Sequence, residues 1–133
     1  MNTYVVVTAI IKYEDKFLIA RRDEKKEFAP GKWEFISGFV EERVPCEEVL
    51  KEELSEEIDL KNYKIQKSFN PIKAKDGGDA WVIVPYLVEA FDINNIKAKP
   101  NEHSALKWVL KKELEDYPDL LGLKDLIRSG AFG

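Results

Sequence analysis

GFVEERVPCEEVLKEELSEEIDL, Gly38 to Leu60, is the stretch whose reading decides the fold. It opens on a glycine turn, passes through a short acidic loop and predicts a helix over Pro45–Ile58. Pro45 suits a first helical position, and Glu47 and Glu48 complement the positive N-terminal end. At about 100° per residue, Cys46, Val49, Leu50, Leu54 and Ile58 form one apolar stripe. Glu53 and Glu57 fall on the border of that stripe and Glu56 on its flank, while Glu48, Lys51, Glu52 and Ser55 point away. A carboxylate on a packing face is costly unless it is paired or bound to a metal. No Lys or Arg shares the arc, so the two open readings are a divalent cation and a salt bridge from elsewhere, such as Arg21 or Arg22. An oxygen-only ligand set favours Mg²⁺ or Mn²⁺ over Zn²⁺.

Outward from this helix, the order of elements predicts a layered domain. Tyr4–Lys12 and Phe17–Arg22 read as strands about the turn 13–16, Asp23–Gly31 as a charged loop, and Trp33–Ile36 as a short strand feeding the Ser37-Gly38 turn. Tyr63–Phe69, Ala80–Phe91 and Ala105–Val109 read as further strands, with Pro85 marking a bulge or an edge. Lys73–Asp79, with Gly77-Gly78, reads as a turn or flexible loop. Asp119–Arg128 reads as a closing helix with Leu120, Leu123, Leu126 and Ile127 on one stripe and Gly130 as its stop. The fold class is therefore α/β or α+β, a mixed sheet covered by helices, in one domain spanning 1–133.

Bulk properties agree. The chain has 133 residues, 44% hydrophobic and 35% charged, with a net charge of −4. That charge gives a nucleic-acid polymer or a membrane surface nothing to attract. The N-terminal apolar run lacks a basic flank and a small-residue cleavage site, so it reads as a strand rather than a signal peptide. Cys46 is the single cysteine, which makes a reducing cytoplasm the expected location.

Gly38 through Leu60 resembles the box motif of Nudix hydrolases, in the MutT-like group. Gly38, Glu53, Leu54, Glu56, Glu57 and Leu60 match its pattern, and GKWEF before the glycine turn resembles the strand that enters the box in nucleotide-cleaving members. The resemblance implies an α/β/α sandwich with a central box helix and a C-terminal helix. It also implies hydrolysis of a nucleoside diphosphate linked to another moiety, a nucleoside triphosphate pyrophosphohydrolase in the leading form. Glu53, Glu56 and Glu57 would hold Mg²⁺, with Mn²⁺ as the other option. The box is degenerate: Val44 stands where the family has Glu, Glu52 where it has Arg, Asp59 where it has a late glycine, and Ser37 where many members have a second glycine. Activity is therefore expected to be reduced, and the alternative is a nucleotide-binding module of the same fold that turns little over.

Other residues complete the expected site. Glu53 and Glu102 are the candidate catalytic carboxylates; Glu102 lies in the loop before the strand carrying Trp108, where the family resemblance suggests a metal ligand or general base. Arg21 and Arg22 either hold phosphate oxygens or pair with carboxylates. Trp33 and Phe28 flank Pro30-Gly31 and either stack on a base or pack in the core; Phe35 and Trp81 are weaker stacking candidates. Gly38, the first glycine of the box pattern, is expected among the substrate-binding residues. His103 is read as a loop residue. The expected partner is a nucleotide or nucleoside-diphosphate substrate, and a homodimer is compatible with this reading.

Overall fold

The computed structural model describes residues 2–76 and 78–133, with Asp76 described in its backbone alone. Strand β1, Thr3–Tyr13, turns into β2, Lys16–Arg22, but the two are paired only near the turn, at Lys12↔Phe17 and Tyr13↔Lys16. Beyond it the hairpin opens like a V. The next segment fills the mouth: β3, Trp33–Glu34, pairs with β2, and β4, Ile36–Phe39, pairs with β1. One stretch thus bridges both arms, and it delivers the chain to helix α1, Cys46–Ile58.

After α1 come β5, Asn62–Ser68, β6, Ile72–Asp76, and the long β7, Asp79–Asp92. β7 runs parallel to β1 along ten residue pairs, from Thr3↔Ala80 to Lys12↔Glu89. On its other side β7 pairs first with β6 and then with β5. β8, His103–Leu110, closes the sheet against β2, followed by a 3₁₀ segment, Lys111–Asp116, and helix α2, Leu123–Ser129.

Alternation of side chains sorts the core into two layers. Val7, Ala9, Ile11, Leu18, Ala20 and Ile36 face α1, which contributes Val49, Leu50, Leu54 and Ile58. Ile10, Phe17, Ile19 and Phe35 face the other way, against Leu114, Leu120, Leu126 and Phe132. Two buried faces with helices on each make the expected α/β/α sandwich. Among the described residues no helix is long and apolar enough to cross a membrane.

Four sequence expectations are corrected. Lys73–Asp76 belongs to a strand, tightly turned into β7 with Gly78 at φ +87°; Gly77 lies outside the described residues. Pro85 does not mark an edge, because β7 is paired on both sides. Its ring nitrogen faces the junction between β5 and β6, where its carbonyl accepts from the Phe69 N–H at 2.9 Å and no ladder donor is required. The closing helix begins at Leu123 rather than Asp119, after Gly122 turns at φ +76°. Leu120 is buried from the preceding turn, and Ile127 is 42% exposed rather than on the packed stripe.

Candidate active site

The site lies where the V of β1 and β2 opens. α1 crosses there above β4, and the reason it can do so is Gly38. A Cβ at that position would stand 2.7 Å from Glu53 Cδ and 2.7 Å from Glu53 Oε1. Only a bare Cα lets the carboxylate lie against the strand. The neighbouring residues of β4 point to the opposite face, where Ser37 Oγ pairs with the buried Thr8 Oγ1 at 2.9 Å. That hydrogen bond gives Ser37 a packing reason to stand where many relatives carry glycine.

Glu53 and Glu57 are both partly buried, while Glu52 and Glu56 are exposed, as the helical wheel predicts. Glu53 and Glu57 share a hydrogen bond. Burial is the largest cause that pushes the Glu57 carboxyl up, to about 9, followed by the hydrogen bond and charge of Glu53 and then the charges of Glu34 and Glu102. Glu53 is raised as well, first by burial, with the charges of Glu56, Glu102 and Glu52 adding and the hydrogen bond from Glu57 opposing. Both directions oppose ionising the two carboxylates together. Without a cation the pair avoids the cost of two adjacent buried anions by keeping one neutral.

Glu34 completes a group of five carboxylates from three regions of the chain: Glu53, Glu56 and Glu57 on α1, Glu34 on β3 and Glu102 before β8. Glu34 alternates with Trp33 and Phe35 and so faces α1. Both its oxygens are taken: Arg22 Nη1 donates at 2.9 Å and His103 Nε2 lies at 2.8 Å. His103 is 3% exposed, so it is a buried anchor at the first residue of β8 and not the loop residue expected from sequence. The signal for Glu34 was present in the sequence, since a carboxylate between two aromatic residues on a doubly covered strand must find a partner. The partner, 69 positions away, was not.

The expected basic ligands are engaged within the protein. Arg22 also donates Nε to the Phe28 carbonyl at 2.8 Å, and its guanidinium lies 5.4 Å from the Phe28 ring centre. Arg21 donates to the Gly31 carbonyl at 3.1 Å and to Glu24 at 2.8 Å. Both arginines thus follow the carboxylate-pairing alternative, although Arg21 remains 43% exposed. Lys26, from the β2–β3 loop, contacts Glu102 Oε2 at 2.6 Å. Trp33 does not face the carboxylates: it packs edge-on against Tyr117, with centroids 5.6 Å apart, on the α2 side. Phe28 is exposed on the loop. Trp81 stacks on Tyr4 at 4.8 Å, and exposed Phe39 lies within 6.0 Å of both.

Among the described residues, no three His, Cys, Asp or Glu side chains stand in a finished metal-binding arrangement. The chemistry of the donor set nonetheless fits a hard divalent ion. The donors are oxygens, burial raises the Glu57 carboxyl, and no basic side chain of α1 neutralises the pair.

Comparison with known proteins agrees with this geometry. The NUDIX domain family model matches residues 2–129. Among solved structures, the E. coli ORF135 protein is 27% identical, with a TM-score of 0.73 over 98% of this chain and 89% of that one. The MutT NUDIX hydrolase from Burkholderia pseudomallei is 25% identical, with a TM-score of 0.67 over 81% of this chain and 83% of that one. A C. elegans Ap4A hydrolase binary complex, at 15% identity, shares the fold, with a TM-score of 0.78 over 96% and 95%. Comparison with curated proteins gave no match. With the family model running through nearly the whole length and the box carboxylates gathered under Gly38, the chain belongs to the Nudix hydrolase family, whose members act on nucleoside diphosphate derivatives.

Proposed function

We propose that this protein is a metal-dependent pyrophosphohydrolase of nucleoside triphosphates, acting in the cytoplasm. The observation that carries this reading is the close approach of Glu53 to Gly38 with Glu57 beside it, a partly buried carboxylate pair that no basic side chain of its own helix neutralises. Glu53, Glu56 and Glu57, with Glu102 opposite, would hold Mg²⁺ or Mn²⁺. When bound, such an ion supplies Lewis-acid polarisation of the substrate phosphates.

The chain's own residues have separate tasks in this scheme. Glu53 or Glu102 takes the proton from the attacking water. Lys26 meets phosphate oxygens at the edge of the carboxylate group, Arg21 does so from the β2–β3 loop side, and Arg22 serves through Glu34. Phe28, exposed on the loop, is a stacking surface for the base, and is freer to meet it than the packed Trp33. Gly38 keeps the strand close enough for Glu53 to reach the substrate.

A second reading, a nucleotide-binding module with weak turnover, is favoured by one feature. Glu52 is exposed and its charge adds to the repulsion on Glu53, where an arginine would relieve it. One assay separates the two. Wild type and Glu53→Gln are incubated with Mg²⁺ and a panel of nucleoside triphosphates and diphosphate-linked nucleosides, and phosphate and pyrophosphate release is followed. Release by wild type and its loss in the variant supports the hydrolase; binding without release supports the module; neither binding nor release overturns both.

A further inference from the structure

We propose that His103 is a positioning residue: by anchoring Glu34 from the first residue of β8 it sets the location of Glu102 against the α1 carboxylates. The inference rests on the reading that Glu102 works in the site.

His103 is the cross-strand partner of Arg22, at a register irregularity between Arg21 and Arg22. Irregularities of this kind re-aim side chains next to functional sites. Here the two partners converge on a single carboxylate from β3: Arg22 holds one Glu34 oxygen and His103 the other. The ring is 3% exposed, and its second nitrogen, Nδ1, has no hydrogen-bond partner among the described residues. Its one polar tie is therefore to Glu34.

Glu102 is the preceding residue, and its backbone is gripped on both sides. Its N–H and that of His103 each donate to the Lys99 carbonyl at 3.1 Å, and its carbonyl accepts from the Asp23 N–H at 3.1 Å. Asn101 before it turns at φ +72°. The loop thus enters β8 through one corner, and the His103–Glu34 contact fastens that corner to β3, which runs on into the strand β4 beneath α1. A side chain that only filled space would need the volume of His103 but not its donor.

The test is a cycle of variants: His103→Leu, which keeps bulk and loses the donor; His103→Gln, which retains a donor; Glu102→Gln; and His103→Leu combined with Glu102→Gln. Each is measured for kcat, KM, Mn²⁺ binding by electron paramagnetic resonance, and thermal unfolding. His103→Leu is expected to lower kcat and weaken Mn²⁺ binding about tenfold, with KM little changed, because the partners that orient a ligand matter on that scale. His103→Gln recovers most of the loss. In the Glu102→Gln background, His103→Leu costs less than about twofold, since the group it positions is already gone.

An equal cost in both backgrounds, or a His103→Gln variant as impaired as His103→Leu, overturns the proposal. If His103→Leu does not fold, His103→Asn, with its shortened donor, takes its place in the same cycle. Should Glu102→Gln behave as wild type, the proposal falls with the role given to Glu102, while the hydrolase reading stands or falls separately on Glu53→Gln. Mn²⁺ binding carries the cycle even if no substrate is turned over.

Discussion

Glu53 lies directly on the backbone of Gly38, so close that a methyl group there would stand 2.7 Å from its Oε1. A strand and a helix separated by the acidic loop are thereby held at a distance set by one missing carbon. Gly38→Ala is expected to push Glu53 off its position and lower kcat by about 10²-fold, the scale of a catalytic group displaced by about an ångström. The same change should cost about 1–3 kcal/mol of stability from overpacking. Steady-state kinetics and urea unfolding check the two parts separately.

The raised carboxyls of Glu57 and Glu53 make metal-free stability depend on pH. Glu57 titrates at about 9 in the folded protein against an ordinary 4.5. Between those values the unfolded chain has released the proton that the folded chain retains. Stability is therefore highest below the ordinary value and falls as pH rises towards 9. Thermal melts of metal-free protein from pH 5 to 9 should show the decline. Glu57→Gln should flatten it, and added Mg²⁺ should restore stability at the alkaline end.

Glu52 is exposed, and its charge acts on Glu53 from the position where family members carry arginine. Glu52→Arg exchanges a repulsive neighbour for one able to form a charge-assisted hydrogen bond with the catalytic carboxylates. Turnover with Mg²⁺ is expected to rise about three- to tenfold, in line with about 1 kcal/mol of transition-state stabilisation. A fall in turnover would mean that the site is adapted to Glu52.

Asp59 ends α1 at φ +56°, ψ +36°, with its N–H bonded to the Ser55 carbonyl at 3.2 Å and that of Leu60 to Leu54 at 2.9 Å. This is the left-handed closing position that glycine occupies at least cost, and aspartate tolerates it less well. Asp59→Gly is expected to stabilise the protein by about 1 kcal/mol, or roughly 4 °C in melting temperature. Hydrolysis rates should be unaffected, because the substitution lies beyond the last box carboxylate. Paired melting curves and kinetics check this.

Much of this could be read from the chain alone, where the information is local. The period of Val49, Leu50, Leu54 and Ile58 defined the buried face of α1, and the same period separated Glu53 and Glu57 from Glu52. The resemblance of Gly38–Leu60 to a known box then gave those carboxylates a chemistry. The apolar runs on either side of the turn 13–16 marked β1 and β2 as strands. Local rules failed where a long-range partner decided the outcome. Pro85 sits in a central strand because the two strands beside it change over at that point. Lys73–Asp76 is extended because β7 offers it an edge.

The same boundary divides the site. Sequence by itself determined the box: which carboxylates border the packed face, which glycine opens it, and which positions depart from the family. Tertiary structure alone decided what surrounds them. It spent Arg22 on Glu34, turned Trp33 to the far face, brought Lys26 to Glu102 and buried His103 as the second holder of Glu34. Helical periodicity is carried by neighbours a few positions apart, whereas the pairing of a buried charge is settled by whichever segment the fold brings across from it. For Glu34 that segment is 69 residues away, and no local pattern records it.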